Sequence, residues 1–149
     1  MSRYSYNSPI GNLLIISDQK GIESLSISDV KAEERDSFID ETVKWLDLYF
    51  KGIEPDFKPM LSINVSEFKR RVYEIMMDIP FGKVKSYKEI AKEISPKMSA
   101  QAVGQACKKN PVILIIPCHR VIASDVIGGF AYGSCMKNKL LNHEGIELY

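Results

Sequence analysis

A thiol, an imidazole and a guanidinium stand on consecutive residues in Pro117-Cys118-His119-Arg120. A cysteine is a strong nucleophile only as its thiolate, and a neighbouring cationic or proton-accepting group shifts it that way. The apolar run Val112–Ile116 just before it predicts a fully buried strand that ends at the thiol. His119 can then take the proton, directly or through a water, and a carboxylate would orient the imidazole. Glu144, within His143-Glu144-Gly145 at the end of the last predicted helix, is the candidate carboxylate. A cysteine hydrolase built on Cys118, His119 and Glu144 is compatible with these residues, though no oxyanion-hole signature accompanies them. Cys107 and Cys135 fall inside predicted helices without polar company and read as small buried hydrophobes. Three cysteines and two histidines, scattered without paired cysteine spacing, predict no metal site.

These residues need elements to hold them. Three short strands are predicted at Ser2–Tyr6, Leu13–Ser17 and Gly21–Ile27, with Asn7-Ser8-Pro9 and Asp18-Gln19-Lys20 as turns. Helical spacing of Phe38, Ile39, Val43 and Leu46 predicts an amphipathic helix from Glu33 to Phe50, stopped by Lys51-Gly52. Pro55 and Pro59 mark an extended crossing, which divides the chain into a sheet-plus-helix domain over 1–60 and a second domain over 61–149.

In the second domain Ser66 caps a helix carrying Phe68, Val72, Ile75 and Met76, ended by Pro80. Ser86 caps a short helix from Tyr87 to Ile94, Ser95-Pro96-Lys97 breaks it, and another runs from about Ser99 to Lys109. Two short helices with a tight turn and basic residues on the second are the layout of a helix-turn-helix, and equally of an αα-hairpin with no DNA role. Gly128-Gly129 lies in a loop, and a final helix spans about Ser134–His143.

Composition narrows the classes further. With 45% hydrophobic and 26% charged residues the chain is that of a globular protein, and no stretch approaches a bilayer-spanning length. The opening residues lack the layout of a signal peptide, so reduced thiols in a cytoplasmic setting are expected. The net charge of +1 conceals −4 over residues 1–65 and +5 over residues 66–149, a weak pointer to an anionic partner for the second half.

Several of these segments together resemble one known family. Pro80-Phe81-Gly82-Lys83-Val84 with Ser86-Tyr87, then Ala102-Val103-Gly104, Asn110-Pro111-Val112, Pro117-Cys118-His119-Arg120-Val121, Gly128-Gly129 and Leu140-Leu141-Asn142-His143-Glu144-Gly145 resemble the O6-alkylguanine-DNA alkyltransferases, in family order and spacing over about residues 67–146. Residues 1–65 match in outline only. The resemblance implies an α/β architecture with a small ribonuclease-H-like N-terminal domain and a winged helix-turn-helix-like C-terminal domain. It implies transfer of an alkyl group from O6-alkylguanine, and by extension O4-alkylthymine, in double-stranded DNA to Cys118, after base flipping and in a single turnover. No cofactor and no membrane are implied, and the expected state is a monomer.

By position, the resemblance makes His119 the base and Glu144 its orienting group. Asn110 would brace the chain beneath the cysteine, and Tyr87 would protonate or hydrogen-bond the guanine ring. Backbone groups near Val121, Gly129 and Ala131 would read the base edges. DNA contacts would fall on Ser99, Gln101, Ala102, Gly104, Lys108, Lys109 and Arg120, with Lys83 and Lys85 as further phosphate candidates. Two positions depart from the family pattern. Gln101 stands where an arginine finger is usual, and Phe130-Ala131 where Tyr-Ser is usual. A lesion-binding module without transfer is the other reading of the same helices.

Overall fold

The computed structural model describes residues 1–123 and 130–147, and the chain divides into two compact units. One comprises Met1–Asn64 with Pro111–Ile115, the other Val65–Asn110 with Ile116–Tyr149.

The first unit is built on an antiparallel sheet in the order β1 (Ser2–Ser8), β2 (Gly11–Ser17), β3 (Ile22–Ile27). Its central strand buries Leu13, Ile15 and Ser17 completely. Helix α1 (Ser37–Phe50) buries Ile39, Trp45, Leu46 and Tyr49. It starts later than the periodicity predicts, because the Asp36 side chain accepts from Ile39 N at 2.9 Å and fixes the cap there. Glu33 and Glu34 instead pair with β1, Glu34 N donating to Arg3 O at 2.9 Å. The segment expected as a crossing is tied to the sheet: Ile22 N donates to Met60 O at 2.8 Å and Ser62 N to Ile22 O at 2.7 Å. Gly21 permits this approach, since a Cβ there would lie 2.6 Å from Met60 O.

The run Val112–Ile116 is buried as expected, but it is not a continuous strand. It meets the sheet only around Leu25, whose N donates to Pro111 O at 2.9 Å and whose O accepts from Ile113 N at 3.1 Å. Leu114 then takes φ 72°, and Ile115 N donates to Ile113 O at 2.8 Å around it, a three-residue turn. Apolar composition reports burial, and a buried run can turn as well as extend.

The second unit opens with α2 (Glu67–Met77), capped by Ser66, which buries Val72, Tyr73, Ile75 and Met76. The Tyr73 hydroxyl donates to Ala106 O at 2.9 Å, so the one buried polar group on that face is satisfied. Two-residue strands β4 (Lys85–Ser86) and β5 (Val121–Ile122) pair in parallel, Lys85 opposite Val121. Ser86 caps α3 (Tyr87–Ile94) in a reciprocal box with Glu89. Ser99 caps α4 (Ala100–Lys108), accepting from Ala102 N at 3.1 Å. Helix α5 (Ser134–His143) ends at Glu144, with Gly145 at φ 85° beyond it. Cys107 is buried as predicted, but Cys135 is exposed on the first turn of α5, which inverts its expected placement.

Candidate active site

Pro117 holds φ −82° and ψ 67°, and Cys118 N donates to Ile116 O at 2.8 Å across it. This is an inverse γ-turn, for which the ring-locked φ of proline is already set. Cys118 is therefore delivered by a tight turn rather than by a strand end, and it begins a 3₁₀ turn over Cys118–Arg120. The turn is inside the unit: Cys118, His119 and Arg120 are 4%, 0% and 7% exposed. Asn110 Nδ2 donates to Ile116 O at 2.7 Å, and the same side chain hydrogen-bonds Cys118. Asn110 thus ties the residue entering the turn to the thiol it presents.

Glu144 collects three donors. His119 Nε2 lies 2.6 Å from Oε2, while Arg120 Nε at 2.8 Å and Gly82 N at 3.0 Å donate to Oε1. Gly82 reaches it from φ 81°, a backbone region that favours glycine. Burial alone would raise this carboxyl, but His119 and Arg120 outweigh it and hold Glu144 down at about 2. Burial lowers His119, against the pull of the carboxylate, so the ring is neutral. An ionised carboxylate only accepts, so the hydrogen sits on Nε2 and Nδ1 is the basic nitrogen. Burial also pushes the Cys118 thiol up, opposed by the Asn110 hydrogen bond, by the charge of Lys137, and by backbone N–H groups.

Lys137 was not singled out by its sequence position. It is 0% exposed, its Nζ donating to Val121 O at 2.5 Å and lying 3.4 Å from the Tyr87 hydroxyl. The signal was present in the spacing, because Lys137 falls in phase with Leu140 and Leu141 on the buried stripe of α5. The backbone N–H of Gly82 was equally invisible as a ligand of Glu144.

Cys118 opens onto a cavity of about 430 Å³. Tyr87 lines it from α3, and Gln101, Gly104, Gln105 and Lys108 line it from α4. Cys107 lines it from the same helix, and Phe130 and Ala131 complete the wall. The expected residues Cys118, Tyr87, Gln101, Gly104, Lys108 and Ala131 thus share one cavity, with His119, Glu144 and Asn110 behind the thiol. Ala102 is half-buried, Ser99 and Lys109 are exposed at the two ends of α4, and Val121 is buried in β5. Gly128 and Gly129 lie outside the described residues. Lys83 is exposed, whereas Lys85 Nζ is 2.5 Å from Glu93. Arg120 does not fit its expected place among the DNA contacts. It is buried, paired with Glu144, and donates through Nη1 to Ile79 O at 2.7 Å, so its guanidinium faces the protein interior.

Known proteins share the sequence and the fold of this chain. A family profile described as the DNA-binding domain of 6-O-methylguanine DNA methyltransferase matches residues 67–146, and one described as its ribonuclease-like domain matches residues 1–63. A methylated-DNA–protein-cysteine methyltransferase from Sulfolobus acidocaldarius is 42% identical over 146 residues, covering 96% of this chain and 92% of that protein. The crystal structure of Mycobacterium tuberculosis OGT in complex with DNA has a TM-score of 0.85 at 31% identity, covering 97% of this chain and 93% of that one. An S. pombe structure in complex with damaged DNA containing O6-carboxymethylguanine is 37% identical, with a TM-score of 0.51, over 58% of this chain and 82% of that one.

Proposed function

The chain belongs to the 6-O-methylguanine DNA methyltransferase family, DNA-repair proteins that transfer methyl groups from DNA to a protein cysteine, and we propose that its acceptor is Cys118 and that each chain reacts once. The observation that carries this reading is the shared cavity: Cys118 and Tyr87 face the same space, backed by the His119–Glu144 pair.

Glu144, held ionised by Arg120, fixes the imidazole so that Nδ1 takes the thiol proton, directly or through a water. The Cys118 sulfur attacks the alkyl carbon of O6-alkylguanine; the S–C bond forms as the C–O6 bond breaks, and its electron pair stays on the base. Tyr87 lines the same cavity, and its hydroxyl donates a hydrogen bond or proton to the guanine ring and improves the leaving group. The product is a thioether, and a thioether has no hydrolytic exit under these conditions. One alkyl group per chain follows from that chemistry.

A thiol that is 4% exposed cannot reach O6 in a stacked duplex, which supports extrusion of the lesion into the cavity. Gln101 is exposed on the cavity wall of α4, where a side chain can enter the gap left in double-stranded DNA. Lys108 and Lys109 end the same helix and would hold phosphates without reading sequence. O4-alkylthymine presents the same alkyl–oxygen bond and is proposed as a second substrate.

The test is intact mass after incubation with duplex DNA carrying O6-methylguanine. A permanent gain of one methyl group on Cys118, abolished in Cys118→Ala while DNA binding persists, is the expected result. Multiple turnovers, no mass gain, or label on Cys107 or Cys135 would overturn it.

A further inference from the structure

Helix α4 shows the cavity a face with four residues on it. Gln101, Gly104, Gln105 and Lys108 line the wall at spacings that stack them along one side of the helix. Gln105 alone among them has no part in the chemistry or in the expected DNA contacts. It is exposed, and among the described residues its side-chain amide has no hydrogen-bond partner. The fold therefore does not use this amide, and its donors and acceptor remain open to an incoming group.

Position along the helix says which group that is. At roughly 1.5 Å of rise per residue, Gln105 lies about 6 Å beyond Gln101, and Lys108 about 4.5 Å beyond Gln105. Stacked base pairs are about 3.4 Å apart. With Gln101 at the gap left by the lesion, a side chain one turn further on faces a base pair beside it. Lys108, in the last turn, then falls to the phosphates. Gly104 stands between the two amides, and a Cβ there would meet nothing within 4 Å. The protein thus leaves the helix surface bare at the point where a duplex has to come close.

We propose that the Gln105 amide bonds the edge of a base pair flanking the lesion and so makes transfer depend on the neighbouring sequence. The inference rests on the reading of Cys118 as acceptor from duplex DNA and adds a specificity-determining residue to it. An amide carries donors and an acceptor together, so it matches a base edge that offers both. Adenine offers that pair in the major groove through N6 and N7. A G·C pair offers it in the minor groove, where the guanine N2 amino group stands beside acceptors. A lysine bonded to phosphate makes no such distinction, so Lys108 and Lys109 hold any duplex while Gln105 grades the flanks.

The experiment measures single-turnover transfer from duplexes altered at one base pair on either side of O6-methylguanine. Guanine to hypoxanthine removes the minor-groove amino group, and adenine to 7-deazaadenine removes the major-groove acceptor. Rates are compared in the full chain, in Gln105→Ala and in Gln105→Met. One of the two changes is expected to slow wild type by about fivefold or more beyond its effect on either variant, the size of a lost base contact. Comparing altered with unaltered duplex within each protein cancels any difference in folded fraction. The same response in all three proteins would overturn the proposal, because the effect would then belong to the DNA alone. A wild-type response retained in Gln105→Met would overturn it too, since side-chain length and not the amide would be responsible. Failure of the acceptor reading is separately visible, as absence of methyl transfer from any O6-methylguanine duplex to the wild-type chain.

Discussion

Arg120 and Glu144 form a buried ion pair, Nε to Oε1 at 2.8 Å, and the other carboxylate oxygen is 2.6 Å from His119. A residue that reads in the sequence as a cation for DNA is thereby the counter-ion of the carboxylate behind the nucleophile. Removing one partner of such a pair strands the other. Arg120→Met should therefore cost about 3–5 kcal/mol in urea unfolding, while the double variant Arg120→Met/Glu144→Gln should cost less than the sum of the two singles.

The same carboxylate predicts an acid limit. Glu144 titrates at about 2 in the folded chain, against an ordinary 4.5. As pH falls, the unfolded chain takes up this proton first, so the stabilisation is complete above about pH 4.5 and is lost on the way down to about pH 2. His119 is lowered from its ordinary 6.5 and acts in the same direction, beginning at higher pH. Denaturant midpoints should fall steadily below pH 6 in wild type, and Glu144→Gln should flatten the lower part of that curve.

Gly82 offers a backbone test. Its φ of 81° disfavours any side chain by about 1–2 kcal/mol, although a Cβ would be 3.4 Å from Glu144 O and would not clash. Gly82→Ala should lower the melting temperature by several degrees yet keep the amide bond to Glu144 and the transfer rate of the folded fraction. A collapse of transfer at unchanged stability would separate the amide from its assigned place.

Lys108 and Arg120 should separate in DNA binding. Lys108 is exposed on the cavity rim, so Lys108→Ala should reduce the slope of log K against log salt by about 1. Arg120→Met should leave that slope unchanged at temperatures where the variant is folded. Equal slopes in both variants and wild type would remove Lys108 from the phosphate contacts.

Gln101 is the departure with a kinetic consequence. Flipping costs a few kcal/mol of unstacking, and a planar guanidinium in the gap offsets more of it than a short amide. Gln101→Arg should speed transfer from duplex DNA and change little for a free O6-benzylguanine base. A duplex-to-free-base rate ratio that is the same in wild type, Gln101→Arg and Gln101→Ala would take Gln101 out of the flipping step.

Caps and punctuation made much of the fold legible in sequence. Ser66, Ser86 and Ser99 each cap the helix they announce, because capping is a contact within three residues. Turns inside an apolar run are not written that way. Leu114 carries no mark of its positive φ, and Val112–Ile116 therefore reads as a strand. The site shows the same division. Cys118, His119 and Glu144 stand out by residue type, but whether Arg120 faces DNA or Glu144 depends on a partner 24 residues away. Lys137 reads as a solvated charge by type, and only its phase with Leu140 and Leu141 speaks for burial.

The two units are not two consecutive stretches of chain. Residues Pro111–Ile115 belong with the first unit, although the residues on either side belong with the second. Asn110 spans that excursion, its Nδ2 gripping Ile116 O at 2.7 Å, so the chain leaves and re-enters at a pinned gate beside the nucleophile. A truncation that begins at Val65 would keep every side chain assigned to the chemistry and still carry five residues whose apolar surface had been folded elsewhere. Such a fragment should be active in dilute solution and prone to self-association. Limited proteolysis between the units should likewise yield pieces that stay together until denatured, because one piece keeps a segment of the other's core.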